Sequence, residues 1–207
     1  MIARLHYISQ EIHGFSHIQL IEQACKYGIQ WVQLRVKNKP YTEWLKIALE
    51  AKQVCTKYNA RLIINDDVAI AKKIGADGVH LGKYDMDPLR ARKLMGPKAF
   101  IGGTANTIED ILKLVSSSVN YIGLGPYRFT TTKDNLSPIL GLEGMSEIMN
   151  AVRIELINIP IIAIGGIVPD DVDGIMNTGV HGIAVSSAIN QSADKQGVIK
   201  ALMEKVA

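Results

Sequence analysis

Cysteine is nearly absent. Two occur, Cys25 and Cys55, in no CxxC or Cys/His cluster, so neither a disulfide scaffold nor a thiolate metal site is indicated. Both fall in helical patterns and are expected as buried reduced thiols. Aromatic residues make up only 6% and are scattered, so no stacking platform for single-stranded nucleic acid emerges. Neither sign of charge dominates: 23 Lys and Arg against 20 Asp and Glu leave +3, too little for a nucleic-acid footprint. No apolar run approaches the roughly 18 residues that span a bilayer. The amino terminus lacks a long apolar stretch and runs straight into a strand-like segment. No secretory signal is therefore expected, and the cytoplasm is the expected compartment. After that first segment stands Gln10-Glu11-Ile12-His13, where a dinucleotide-binding open sheet would usually carry GxGxxG.

What is present is alternation. β-Branched runs at Arg4–Ser9, Trp31–Lys37, Arg61–Asp66 and Gly78–Gly82 read as strands, as do Phe100–Thr104, Tyr121–Pro126, Pro160–Ile167 and Gly182–Ile189. Helical spacing falls between them, at Glu43–Tyr58, at Val68–Ile74, and at Pro169–Asn177, which has proline at a first helical position. Roughly eight strand–helix units in one chain of this length predict a single-domain (β/α)8 TIM barrel spanning residues 1–207. An internal echo agrees: Gly75-Ala76-Asp77-Gly78-Val79 and Gly179-Val180-His181-Gly182-Ile183 both read as a helix stopped by glycine and a turn into a buried strand. Gly28-Ile29-Gln30-Trp31-Val32 is a looser copy.

In such a barrel the chemistry sits at the carboxyl ends of the strands. After the second strand, Gln33, Arg35 and Lys37 share one face while Leu34 and Val36 share the other. One amide and two cations facing a barrel call for an anionic partner; the alternative is a solvated strand end. After the third and fourth strands come Asn65-Asp66-Asp67 and Lys83-Tyr84-Asp85. Carboxylates on adjacent strand ends can reach one hard cation, Mg2+ if the substrate is phosphorylated. Asp66 and Asp67 would serve equally as helix caps. The sixth strand is followed by a connection reaching about Gly141, in which Thr130, Thr132 and Lys133 suit phosphate oxygens, or simply make a polar loop. After the seventh and eighth strands, Gly165-Gly166 and Ser186-Ser187 suit phosphate held at backbone N–H groups. Tight packing at the rim would use the same glycines. His80 can face the barrel and reads as a satisfied core histidine.

Taken in order, these residues resemble the thiamine-phosphate synthase family. Gln33-Leu34-Arg35-Val36-Lys37 is similar to its QLRxK motif. Asn65-Asp66 and Gly75 through Gly82 with Asp85 are similar to its ND…GADGVHLG…D segment. Gly125-Pro126 with Thr130-Thr131-Thr132-Lys133 is similar to its GP…TxTK loop. Ala163-Ile164-Gly165-Gly166-Ile167 and Ser187-Ala188-Ile189 are similar to its last two strand ends. The resemblance implies condensation of 4-amino-5-hydroxymethyl-2-methylpyrimidine diphosphate with 4-methyl-5-(2-hydroxyethyl)thiazole phosphate, with Mg2+ as cofactor. Pyrophosphate would leave first, so that the thiazole nitrogen meets a pyrimidine-methyl cation. It further implies that Gln33, Arg35, Lys37, Asn65 and Lys133 bind the pyrimidine diphosphate and that Asp66 and Asp85 hold the metal. Thr130, Thr132, Gly166, Ser186 and Ser187 would lie around the thiazole phosphate.

Arg35, Lys37 and Lys133 would stabilise the leaving group, each such donor contributing roughly 3 kcal/mol. Thr104 stands where serine is common and keeps a hydroxyl, so its donor role is expected to persist. Asp67 stands where arginine is common and Lys83 where glutamine is, which suggests that the lysine offsets the extra carboxylate. The expected partners are the two small-molecule substrates, with self-association open and neither nucleic acid nor membrane involved. Three other readings stay open. They are a thiazole tautomerase of the same superfamily, an aldolase using Lys133 or Lys37 for a Schiff base, and a non-catalytic precursor-binding protein.

Overall fold

The structure is a computed structural model and describes residues 1–129 and 138–207. Its strands are β1 (Leu5–Ile8), β2 (Trp31–Leu34), β3 (Arg61–Asn65), β4 (Gly78–Leu81), β5 (Phe100–Ala105), β6 (Tyr121–Leu124), β7 (Ile161–Ile164) and β8 (Gly182–Val185). Each sends opposite faces into opposite environments. On β2, Val32 and Leu34 join the large apolar shell between barrel and helices, and Trp31 belongs to a smaller cluster with Ile63, Tyr121 and Ile162 inside the barrel. All neighbours pair in parallel, and β1 closes on β8 through Leu5 opposite Ile183 and Tyr7 opposite Val185. The (β/α)8 barrel expected from the alternation is the observed architecture.

The helices are α1 (His17–Lys26), α2 (Tyr41–Lys57), α3 (Val68–Lys73), α4 (Pro88–Met95), α5 (Ile108–Ser116), α6 (Gly141–Ile154), α7 (Val172–Asn177), α8 (Ser187–Asn190) and α9 (Lys195–Lys205). Local chemistry sets their starts. Ser16 with Gln19 and Thr107 with Asp110 form reciprocal capping boxes, and Asp87 caps α4 ahead of Pro88. The repeated glycines also have a physical cause. A Cβ on Gly78 would lie 2.1 Å from the Phe100 carbonyl oxygen, and one on Gly182 2.0 Å from that of Arg4. The echo thus marks two places where neighbouring strand backbones approach too closely for a side chain.

Several strands are shorter than the sequence suggests. β2 ends at Leu34 rather than Lys37, and β6 at Leu124 rather than Pro126, whose ring nitrogen has no proton for the ladder. β7 stops at Ile164, because Gly165 and Gly166 take φ of +104° and +66°. β8 stops at Val185; Ser187 opens α8, with Gln191 N–H donating to the Ser187 carbonyl at 2.9 Å. The helix expected from Pro169 begins as a 3-10 turn, Pro169–Asp171, before α7. Several residues past the ladder, among them Arg35, Lys37, Pro126, Gly166 and Ser187, form the rim of the barrel mouth.

Candidate active site

A cavity of about 730 Å³ opens at the carboxyl ends of the strands. From β2 and the residue stretch beyond it come Gln33, Arg35 and Lys37, and from the end of β3 and the residue after it come Asn65 and Asp66. Asp85 and Thr104 approach from the next two strand ends, and Gly166, Ser186 and Ser187 from the last two. Thr130, Thr132 and Lys133 lie outside the described residues. The Gln33 side-chain amide donates to the Asn65 side-chain oxygen at 3.0 Å, which fixes the two groups relative to each other across adjacent strands.

The carboxylates form the most charged corner. Asp66 has φ +66°, a left-handed conformation that Asp tolerates better than most residues, and Lys37 Nζ donates to its Oδ2 at 2.8 Å. Burial by itself raises the Asp66 pKa, but hydrogen bonds from Lys37 and Asp85 outweigh it and hold the group below the ordinary carboxylate range. Asp85 moves upward, first through burial and then through the hydrogen bond it shares with Asp66. Its Oδ2 also accepts the Gly82 N–H at 2.6 Å. Among the described residues no three His, Cys, Asp or Glu side chains gather as a metal cluster.

Asp67 serves the fold instead, capping α3 by accepting the Ile70 N–H at 2.8 Å. Lys83 has a different partner. Its Nζ pairs with Asp110 at 2.5 Å, because the capping box of α5 brings that carboxylate beside the mouth.

On the far side, Gly165 and Gly166 turn the backbone beneath the connection that follows β6. A Cβ on Gly166 would meet the Phe129 carbonyl oxygen at 2.9 Å. Arg128 spans this junction, donating to both Asp171 oxygens at 3.0 and 2.7 Å and to the Gly166 carbonyl at 3.2 Å. Asn106 is buried and donates from one amide nitrogen to the Gly125 and Pro138 carbonyls, both at 3.0 Å. That amide clamps the two ends of the connection together. Ser186 receives the Asn190 side-chain N–H at 3.2 Å and reaches Gln10 at 3.5 Å.

Asn106, Arg128 and Asp171 escaped the reading of the sequence, as did Ser9, whose Oγ accepts the Arg35 N–H at 3.1 Å and meets His17 Nδ1 at 2.9 Å. No spacing signals them, since their partners are distant in the chain. His80 faces inward, with Tyr121 at one ring nitrogen and Thr104 at the other, and it also borders the cavity.

Comparison with known proteins gives a consistent picture. A sequence model of the thiamine monophosphate synthase family matches residues 5–189. A thiamine-phosphate synthase of Flavobacterium johnsoniae is 47% identical over 206 residues, covering 100% of this chain and 97% of that protein. One from Bacteroides fragilis is 46% identical over 190 residues, covering 92% of this chain and 93% of its own. Among solved structures, a thiamine phosphate pyrophosphorylase from Pyrococcus furiosus superposes with a TM-score of 0.85 at 30% identity, covering 98% of this chain and 95% of that one.

Proposed function

The chain belongs to the thiamine monophosphate synthase family, and from that premise we propose how its barrel carries out the synthesis of thiamine phosphate. It is a transferase enzyme. The substrates of this reading are the pyrimidine diphosphate and the thiazole phosphate. The observation that carries it is the separation of charge around one cavity: Arg35, Lys37, Asp66 and Asp85 on one side, the glycine turn and serines on the other. A diphosphate and a monophosphate need two such sites, with the reacting carbon and nitrogen between them.

The bond from the pyrimidine methylene carbon to the diphosphate oxygen breaks first, and the oxygen keeps the electron pair. The thiazole nitrogen then donates its lone pair to that carbon, giving a thiazolium product and free pyrophosphate. No net proton transfer is required. The barrier is separation of charge, so preorganised cations contribute most, roughly 3 kcal/mol for one well-placed donor. Arg35, Lys37 and Lys133 surround the leaving group, Gln33 and Asn65 orient the pyrimidine, and Thr104 donates a hydrogen bond. Gly166, Ser186 and Ser187, with Thr130 and Thr132, take the thiazole phosphate.

Asp66 and Asp85 lie close enough to share a hydrogen bond, and a hard divalent cation suits two carboxylates placed this way. They would hold Mg2+, which when bound would neutralise charge on the leaving group. Lys37, which pairs with Asp66 at the same corner, would meet the diphosphate.

The test mixes protein, both precursors and Mg2+, and follows both products. Thiamine phosphate and pyrophosphate should form one for one, stop with EDTA, and fall steeply in Asp66→Ala. Binding of thiazole phosphate without pyrophosphate release would overturn the reading and favour a tautomerase or binding protein.

A further inference from the structure

Two glycines stand on the inner face of adjacent strands. A Cβ on Gly102 would lie 2.2 Å from Tyr121 Cζ, 2.5 Å from its hydroxyl and 2.6 Å from His80 Nδ1. One on Gly123 would lie 3.1 Å from His80 Cε1. The barrel therefore keeps a slot for the His80 ring. Through it runs a chain from the interior to the cavity: the Tyr121 hydroxyl lies 3.1 Å from Nδ1, and Nε2 lies 3.0 Å from Thr104 Oγ1. Tyr121 is buried, whereas Thr104 lines the cavity.

A neutral imidazole donates through one nitrogen and accepts through the other, so the chain has two directions. With the proton on Nδ1, His80 would donate to Tyr121, and the phenolic proton would need another acceptor. Among the described residues none meets it. The Trp31 indole beside it is a donor only, and forms no hydrogen bond of ordinary geometry. Burial holds the phenol well above its ordinary pKa, so its proton stays on. The other direction satisfies every group. Tyr121 donates to Nδ1, Nε2–H donates to Thr104, and the Thr104 proton is left for the cavity.

We propose that His80 is a positioning residue: held by Tyr121 as its Nε2–H tautomer, it turns the Thr104 hydroxyl proton towards an acceptor on the bound pyrimidine diphosphate. The role of Thr104 rests on the reaction given above; the tautomer does not. The slot glycines, the phenol and the ring together deliver a donor without adding charge. A lone threonine at a cavity wall could rotate its proton away, and this one is held.

Long-range proton–nitrogen correlation on protein with 15N-labelled histidine tests the tautomer without substrate, the His80 signals being assigned by their loss in His80→Gln. A proton on Nε2 alone is expected; one on Nδ1, or on both nitrogens, would overturn the proposal. Kinetics test the relay. Tyr121→Phe should lower kcat about tenfold, with KM values changed by less than about twofold. His80→Gln, whose amide can still donate to Thr104, should retain more activity than His80→Ala. In a Thr104→Ala background, Tyr121→Phe should cause no further loss; a full additional loss would mean that Tyr121 acts through packing. A wild type that releases no pyrophosphate would remove the reaction while leaving the tautomer result intact.

Discussion

Asp66 combines an uncommon backbone with an uncommon charge. At φ +66° it lifts its carboxylate to Lys37 and Asp85. The two properties separate by substitution. Asp66→Asn keeps a side chain that tolerates the left-handed region but loses the charge, so thermal stability should stay close to wild type while the rate falls by about a hundredfold or more. Equal loss of both would mean that the carboxylate holds up the fold. His6, at the other end of the barrel, is a purely structural titrating group. It stacks on Trp31 with centroids 4.6 Å apart, and burial lowers its pKa from 6.5 to about 3. Between these values the unfolded chain takes up a proton that the folded barrel refuses. Stability from His6 is therefore intact above about pH 6.5 and is lost as pH falls towards 3, by at most about 1.4 kcal/mol per pH unit. Burial lowers His17 in the same direction. Urea titrations from pH 7 to 5 should show this slope in wild type and a shallower one in His6→Gln. Equal slopes would exclude His6 as the source.

The eight strands, and the helices α2, α3 and α7, were legible in the sequence because each carries its own periodicity, and their ends were not. Lys37 keeps the alternation of Gln33 and Arg35, yet the ladder has ended three residues earlier, at Leu34, because a strand end depends on its neighbour. Side-chain direction survived that error, and Gln33, Arg35 and Lys37 all reach the cavity. Contacts between elements had no such signal. Asn106 follows β5 and clamps both ends of the connection between β6 and α6. Its sequence neighbours say only that a helix is about to be capped. Asn106→Ala would leave the buried Gly125 carbonyl, and the partly buried Pro138 carbonyl, short of a donor, at a cost of about 1–3 kcal/mol. Urea unfolding should show that loss, and kcat/KM should fall with it, since the connection carries Thr130, Thr132 and Lys133. An unchanged midpoint would mean that the clamp contributes nothing.

Closure is a property of the whole molecule. Alternating strands and helices also build open sheets, and only the pairing of Leu5, His6 and Tyr7 with Ile183, Ala184 and Val185 joins the two ends of the chain into a barrel. Closure brings Ser186 and Gln10 to the same cavity rim as Lys37 and Asp85. A ligand that spans this mouth touches segments from both halves of the sequence, so its binding energy should stabilise the barrel as one unit. At this corner Lys37 is held on Asp66. At the proposed site, pyrophosphate alone would draw Lys37 away from Asp66 and leave that carboxylate beside Asp85, while Mg2+ alone would displace Lys37 with no anion to receive it. Together each supplies what the other lacks. At about a hundred times the dissociation constant the gain is roughly 2.7 kcal/mol, and in a chain of this size that raises the melting temperature by about 5–10 °C. Differential scanning fluorimetry should show a shift for the pair larger than the sum of the separate shifts, abolished by EDTA and in Asp66→Asn. Purely additive shifts would mean that metal and diphosphate bind independently, and the shared site at Asp66 and Asp85 would have to be given up.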